Sequence, residues 1–396
     1  MADKQGQALT PSKPAPWNDP AVRSIVFQVL AILALGYFFY VIFQNTLANM
    51  EKSGISTGFG FLGEPSGFGI LMSMVDYTEA SSYGRTFLVG LLNTVLVAAL
   101  GIVLATFLGF AIGVARLSPN WLLAKIATVY VETLRNIPLL LQMFFWYFAV
   151  LAALPSPRQS MDWGGAFFLN NRGFYFPRPV FEDGSSIVGI AFVIAVVAVV
   201  MLAKWAHKRQ ESTGEQFHTV YVSIGILLGL PLLAYLISGM PISLEYAALK
   251  GFNFQGGMRV IPELMALLWA LSFYTAAFIA EIVRAGILAV SHGQSEAAHA
   301  LGLRQAPTLR LVVIPQALRI IIPPLTSQYL NLTKNSSLAT AIGYPDLVAV
   351  FMGTTLNQTG QAVEIVGMTM GVYLTISLII SAFMNWYNKR KALVER

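Results

Sequence analysis

Long apolar runs separated by short polar ones dominate this chain. A bilayer core takes about 20 consecutive, mainly apolar residues per helix. Eight stretches meet that need: Ser24 to Phe43, Phe87 to Val114, Ile126 to Leu151, Ile187 to Ala203, Val220 to Ser238, Ile261 to Val290, Gln316 to Leu332 and Ala362 to Trp386. They predict an all-α polytopic membrane protein of about eight transmembrane helices. The stretch Ser337 to Met352 is apolar but short, and Gly343 and Pro345 interrupt it, so it reads as an interfacial or re-entrant piece. Pro155 to Ser186 mixes aromatics with Gly, Pro and Arg, the composition of a structured external loop lying against headgroups. No solenoid-type repeat is evident.

Composition agrees. Hydrophobic residues make up 56% of the chain and charged residues 11%, where a soluble protein carries roughly 25% charged residues. The first twenty residues are polar, and the apolar stretch after them is too long for a signal-peptide core and lacks a small-x-small cleavage site. It reads as a retained anchor. The absence of cysteine excludes disulfides and thiolate metal sites. The net charge of +6 is interpreted through topology, because Lys and Arg concentrate on the cytoplasmic side of membrane proteins. Placing both termini in the cytoplasm puts sixteen Lys and Arg inside and seven outside, with Arg135 and Lys334 within or at the ends of spans.

One polar connection has a shape of its own. Ser291 followed by Gln294 fits a capping box, which starts a short helix. Glu296, Ala297, Ala298, His299, Ala300 and Leu301 continue it with strong helix formers, and Gly302 suits the left-handed residue that ends it. Pro307 fits the first turn of the next helix, which re-enters the membrane at Pro315. The expectation is helix, corner, helix, with alanines that allow close approach to a partner; a solvated amphipathic loop is the plainer alternative.

The spacing Glu296, Ala297, Ala298, then Gly302, then Val312 to Pro315 resembles the EAA loop of ABC-importer permeases, through which a separate ATPase drives the membrane subunit. Three further segments are similar to the polar-amino-acid branch of that superfamily: Tyr130 to Phe144, Glu281 to Gly286 with Gly293 and Gln294, and Thr333 to Leu338. The enlarged layout resembles the permeases of general L-amino-acid importers. The resemblance implies a five-helix type I core in two parts, 87–153 and 261–386, with the coupling loop at 291–315. Around it stand a tail at 1–23, an extra helix at 24–46, an insertion at 154–260 holding two spans, and a tail at 387–396. It also implies ATPase subunits, a second permease subunit, either a paralogue or an identical copy, an external amino-acid-binding protein and a bacterial inner-membrane setting. The chain has no G-x-x-x-x-G-K-[ST] loop, so ATP and Mg belong to the partner ATPase and no cofactor is expected here.

Charged residues inside spans point to function by default. Glu132, Arg135 and Asn136 share one helix face and could bind an amino-acid zwitterion, or form an intrahelical pair that packs the bundle. Gln142 lines the path or joins helices. Glu281 and Arg284 form a second i, i+3 pair at the cytoplasmic end of the sixth span, read as internal or ATPase-facing. Lys334, with Asn335 and Ser336, snorkels or fixes an outer gate. Pro138, Pro323 and Pro324 predict kinks. Gly109 with Gly113, and Gly367 with Gly371, predict close helix crossings.

Other chemistries are poorly served. The G-x-S-x-G at Gly54 follows no strand, all four histidines fall on one side in this topology, and basic residues do not form a nucleic-acid stripe. An ion-gradient-driven secondary transporter is the competing function, since intramembrane charges and broken helices fit it as well.

Overall fold

The computed structural model describes residues 20–52 and 57–391. The tails beyond them and most of the pattern beginning at Gly54 lie outside the described residues. The long helices are α1 (Pro20–Lys52), α2 (Tyr83–Ala115), α3 (Trp121–Asn136), α4 (Leu139–Phe144, continued by wide π turns over Phe145–Leu151), α5 (Ser185–Thr213), α6 (Thr219–Ile237) and α7 (Pro262–Leu288). After them come the short α8 (His292–Ala300) and α9 (Gln305–Thr308), then α10 (Ile314–Asn335), the single turn α11 (Leu356–Thr359) and α12 (Ala362–Lys391). Counting the bent pair α3–α4 once, the described residues supply eight candidate crossings.

Local chemistry sets the ends. Ser82 accepts a hydrogen bond from the Arg85 N–H at the start of α2, and Asn120 accepts from Leu122 and Leu123 N–H at the start of α3. Pro262 opens α7 at a position where its missing N–H costs nothing.

The core is α2 against α7, with α10 across both. Gly109 and Gly113 make that contact possible: a Cβ at Gly113 would lie 2.7 Å from the Ala280 carbonyl oxygen. Gly367 and Gly371 behave differently. Nothing described comes within 4 Å of a Cβ at either, so the second predicted close crossing is absent among the described residues. α5 and α6 pack chiefly on each other, and no described residue of α6 is buried.

The all-helical expectation needs one amendment. The connections on both sides of α5–α6 hold short strands: β1 (Met161–Trp163), β2 (Phe167–Asn170), β3 (Gly173–Phe176), β4 (Arg178–Phe181), β5 (Ile242–Glu245), β6 (Ala248–Lys250), β7 (Asn253–Gln255) and β8 (Met258–Val260). An antiparallel sheet runs β1-β2-β3-β8, and β4 pairs β5 while β6 pairs β7. Gly164 and Gly165, with φ +69° and +68°, turn β1 into β2, as a tight hairpin requires. Two loops about eighty residues apart are thus stitched into one cap over the start of α7.

Two crossings are broken. α3 and α4 meet at Ile137–Pro138 with a bend of 107°, since Pro138 cannot continue α3 and holds Ile137 extended. The other break is not at Pro323 and Pro324, through which α10 remains helical. It lies at Ser336–Asp346, where a 3-10 stretch, Ser336–Ile342, ends at Gly343 with φ +76°. Beyond it the chain is not re-entrant. Its contacts climb α2 in order: Tyr329 with Thr106, Leu332 with Gly101, Leu347 with Thr94, Phe351 with Phe87 and Gln358 with Tyr83. Residues 348–359 therefore complete the crossing that α10 begins.

Candidate functional site

The corner at residues 291–315 forms as expected at its end and differently at its start. Gly302 has φ +80°, its N–H bonds to the His299 carbonyl at 2.9 Å, and Leu303 N–H bonds to Ala298 at 3.1 Å. That pair of bonds is a Schellman terminus. Ser291 occupies the N-cap, but its hydroxyl makes no capping bond. Gln294 does not reach back either: its carbonyl accepts from the Gln316 amide at 3.2 Å, because the corner folds α8 beside the first turn of α10. Glu296 bonds to His292 one turn earlier at 3.0 Å.

Ala298 faces inward and is buried where α8 packs on α9 and the π turns at Leu309–Val313, while Glu296, Ala297 and Ala300 are exposed. The alanines thus divide between internal packing and an open face. Pro315 has no N–H for the Leu311 carbonyl, and the helix meets the loss by widening into those π turns.

At the α3–α4 break, Glu132 and Arg135 do not pair with each other. Glu132 lies 3.9 Å from Arg116, at the end of α2, and Arg135 stands over the Phe278 ring at 5.2 Å. The sharp bend lays α3 across the end of α2, which presents each side chain to a different helix. Asn136 returns its amide to the Glu132 carbonyl. Gln142, 5% exposed, donates to the Leu134 and Ile137 carbonyls, both at 2.9 Å. It satisfies carbonyls that a broken helix leaves bare. An apolar cavity of about 440 Å³ adjoins it, walled by Tyr130, Leu141, Trp146 and Phe273. Nearby, Glu281 bonds to both Arg284 and Arg116, so the predicted i, i+3 pair is part of a four-member network that reaches Glu132 through Arg116.

The second break is wrapped in polar groups. Asn93 donates to the Pro345 carbonyl at 2.8 Å, Thr94 accepts from Leu347 N–H at 3.0 Å, and Tyr344 donates to the Asn93 carbonyl at 3.1 Å. The fully buried Asp346 accepts from Ala349 N–H at 2.8 Å and from the Tyr373 hydroxyl at 3.4 Å. Backbone groups freed at membrane depth need such partners. Lys334 is exposed and lines a groove of about 470 Å³ with Ser337, Thr369 and Tyr373; Asn335 is half-buried beside it.

Asn93, Thr94, Asp346 and Tyr373 were not singled out from the sequence. A polar pair inside the run Phe87 to Val114, and an acid directly after Pro345, were the available signals. Asp346→Ala is expected to lower stability by about 1–2 kcal/mol, as for a lost helix cap, with Asp346→Asn recovering most of it. Thermal melting of the purified protein tests this; equal melting of the two variants would refute the capping role.

Residues 219–392 match the family model of the binding-protein-dependent transport system inner membrane component. The general L-amino acid transport system permease protein AapQ of Rhizobium johnstonii is 56% identical over 378 residues, covering 96% of this chain and 94% of that protein. The glutamate/glutamine/aspartate/asparagine transport system permease protein BztB of Rhodobacter capsulatus is 43% identical over 96% of both chains. Among solved structures, a crystal structure of an amino acid ABC transporter with histidines aligns to 78% of this chain and 95% of its own, at 20% identity and a TM-score of 0.45. With AapQ matched at that identity along nearly its whole length, the chain belongs to the amino-acid permeases among the membrane components of binding-protein-dependent ABC importers.

Proposed function

We propose that this chain carries polar L-amino acids, handed over by an external binding protein, and that a separate ATPase drives it by gripping α8. The observation that carries the proposal is the corner itself: a helix with a defined end, tied to α10 through Gln294 and Gln316, presenting Glu296, Ala297 and Ala300 outward. A push on α8 is passed through the π turns and Pro315 into α10, and so to the broken crossing. ATP and Mg belong to that ATPase. In this reading the corner faces the cytoplasm, as do both termini, and the membrane is the bacterial inner membrane.

The division of labour follows the same lines. Residues 87–153 and 261–386 form the moving core, α1 and the 154–260 insertion are additions, and a paralogous permease completes the path. Glu132, Arg135 and Asn136 are exposed beside the first break and face that partner; Lys334 and Asn335 offer a cation and an amide at the second. Gln142 serves chiefly by holding the first break open. The gradient-driven alternative gains nothing from the family to which the chain belongs.

Reconstitution tests the reading. Uptake by the complete complex in proteoliposomes is expected to require ATP hydrolysis, and uptake by this chain alone under a proton or sodium gradient would overturn it. Gly302→Val places a β-branched residue at φ +80°, a strain of about 1–3 kcal/mol, and is expected to reduce uptake about tenfold or more. Gly302→Asn, which tolerates that conformation, is expected to stay near the parent rate. Ala297→Trp is expected to abolish co-purification of the ATPase without loss of the permease from the membrane.

A further inference from the structure

The end of the bundle opposite the coupling corner holds a second charged site. A cavity of about 460 Å³ opens there between the π turns after α4, the start of α7 and the β-cap, and Arg172, Arg259, Glu263 and Tyr147 line it. The two arginines come from the insertion, one from the β2–β3 turn and one from β8; Glu263 and Tyr147 come from the core. The register of the sheet brings them together, since β8 pairs with β3 and sets Arg259 opposite Tyr175.

The charges are not internally balanced. Neither arginine forms an ion pair with a carboxylate among the described residues, and neither does Glu263. Arg259 donates its Nε–H to the Arg172 carbonyl at 2.9 Å and lies over the Tyr175 ring at 5.9 Å. That holds the guanidinium in place while its terminal amino groups make no hydrogen bond among the described residues. Glu263 accepts one hydrogen bond, from the Tyr147 hydroxyl at 2.9 Å.

We propose that this cavity is an entry site for an amino acid bearing a second carboxylate, such as L-glutamate, held before it moves into the bundle. Two guanidiniums and one carboxylate give the site a formal charge of +1. A dicarboxylic amino acid carries two carboxylates and one ammonium, a charge of −1, so each group finds an opposite and the sum is zero. Guanidinium forks match carboxylates in shape as well as charge, and Glu263 receives the ammonium. The insertion thereby has a task that the core alone does not supply: it brings both cations to the mouth. This inference rests on the importer reading above.

The test uses the complete importer in proteoliposomes, with its external binding protein, and compares radiolabelled L-glutamate with L-glutamine, which has nearly the same shape and lacks the second charge. Arg172→Gln together with Arg259→Gln is expected to lower glutamate uptake about tenfold or more relative to glutamine uptake, the scale of a lost hydrogen bond between charged groups. The corresponding double lysine variant is expected to recover part of the ratio. Glu263→Gln is expected to reduce both substrates, because both carry the ammonium. Arg259 also ties two loops together, so Arg172→Gln, whose native side chain makes no hydrogen bond among the described residues, gives an independent reading with the same direction. Equal loss of glutamate and glutamine in the arginine variants, or no loss of either, would overturn the entry site. Absence of ATP-driven uptake of both by the unmodified importer would instead overturn the importer reading.

Discussion

Replacing Gly113 with leucine is expected to prevent recovery of the folded permease. Its Cβ would lie 2.7 Å from the Ala280 carbonyl oxygen and 2.8 Å from Val283 Cβ. A neighbour of that kind is backbone, so no rotamer change relieves it; α2 and α7 must move apart. Overpacking a core usually costs about 1–3 kcal/mol. Here separation also removes the contact on which the bundle depends, since between helices in lipid van der Waals packing replaces the hydrophobic drive. Gly109, with a Cβ 2.5 Å from Ile279 Cγ2, is expected to behave alike, whereas Gly371→Leu, with open space around it, is expected to stay within about 0.5 kcal/mol of the parent. Size-exclusion profiles and thermal melting of the purified subunit measure this. A Gly113→Leu protein that melts with the parent would remove the close α2–α7 crossing from the account of the core.

The second large effect is expected at Glu281. This carboxylate joins two guanidiniums, that of Arg116 from α2 and that of Arg284 one turn along α7, and Arg116 has only 10% of its side chain exposed. Breaking a fully buried pair costs about 3–5 kcal/mol, and with Glu281 28% and Arg284 32% exposed the cost here is expected at about 1–3 kcal/mol. Glu281→Ala leaves Arg284 without its carboxylate and Arg116 with only the more distant Glu132, at 3.9 Å. Arg116→Ala leaves Glu281 still paired with Arg284, so it is expected to cost distinctly less. Chemical or thermal denaturation of the two variants side by side provides the comparison. Equal destabilisation would mean that the network acts by packing rather than by charge. The network clamps the end of α2 to the end of α7.

Several sequence expectations were met because they depend on neighbours in the chain. Gly302 ends α8 in the left-handed conformation, Pro138 breaks the third crossing, and Gly109 with Gly113 mark a close contact. Each follows from a backbone property of one or two residues. Other expectations failed where a partner far along the chain intervened. The stretch from Ser337 reads as interfacial or re-entrant, yet it continues alongside α2 beyond a break at Ser336–Asp346, because there Asn93, Thr94 and Tyr373 supply hydrogen bonds to a chain that has left the helix. Glu132 and Arg135 look like a pair on a helical wheel, yet Arg116 and Phe278 claim them separately.

Hydropathy and turn chemistry alone determined the number of crossings and the helix-corner-helix shape of residues 291–315, since apolar length and left-handed propensity act over contiguous residues. Tertiary structure decided that residues 348–359 complete a crossing, that Ala298 turns inward while Ala297 stays open, and that Arg172 and Arg259 meet Glu263 at one cavity. Those outcomes depend on which helix or strand lies alongside. In a bundle where nearly every surface is apolar, hydrophobicity does not choose between neighbours; close glycine contacts, backbone hydrogen-bond satisfaction and strand register do.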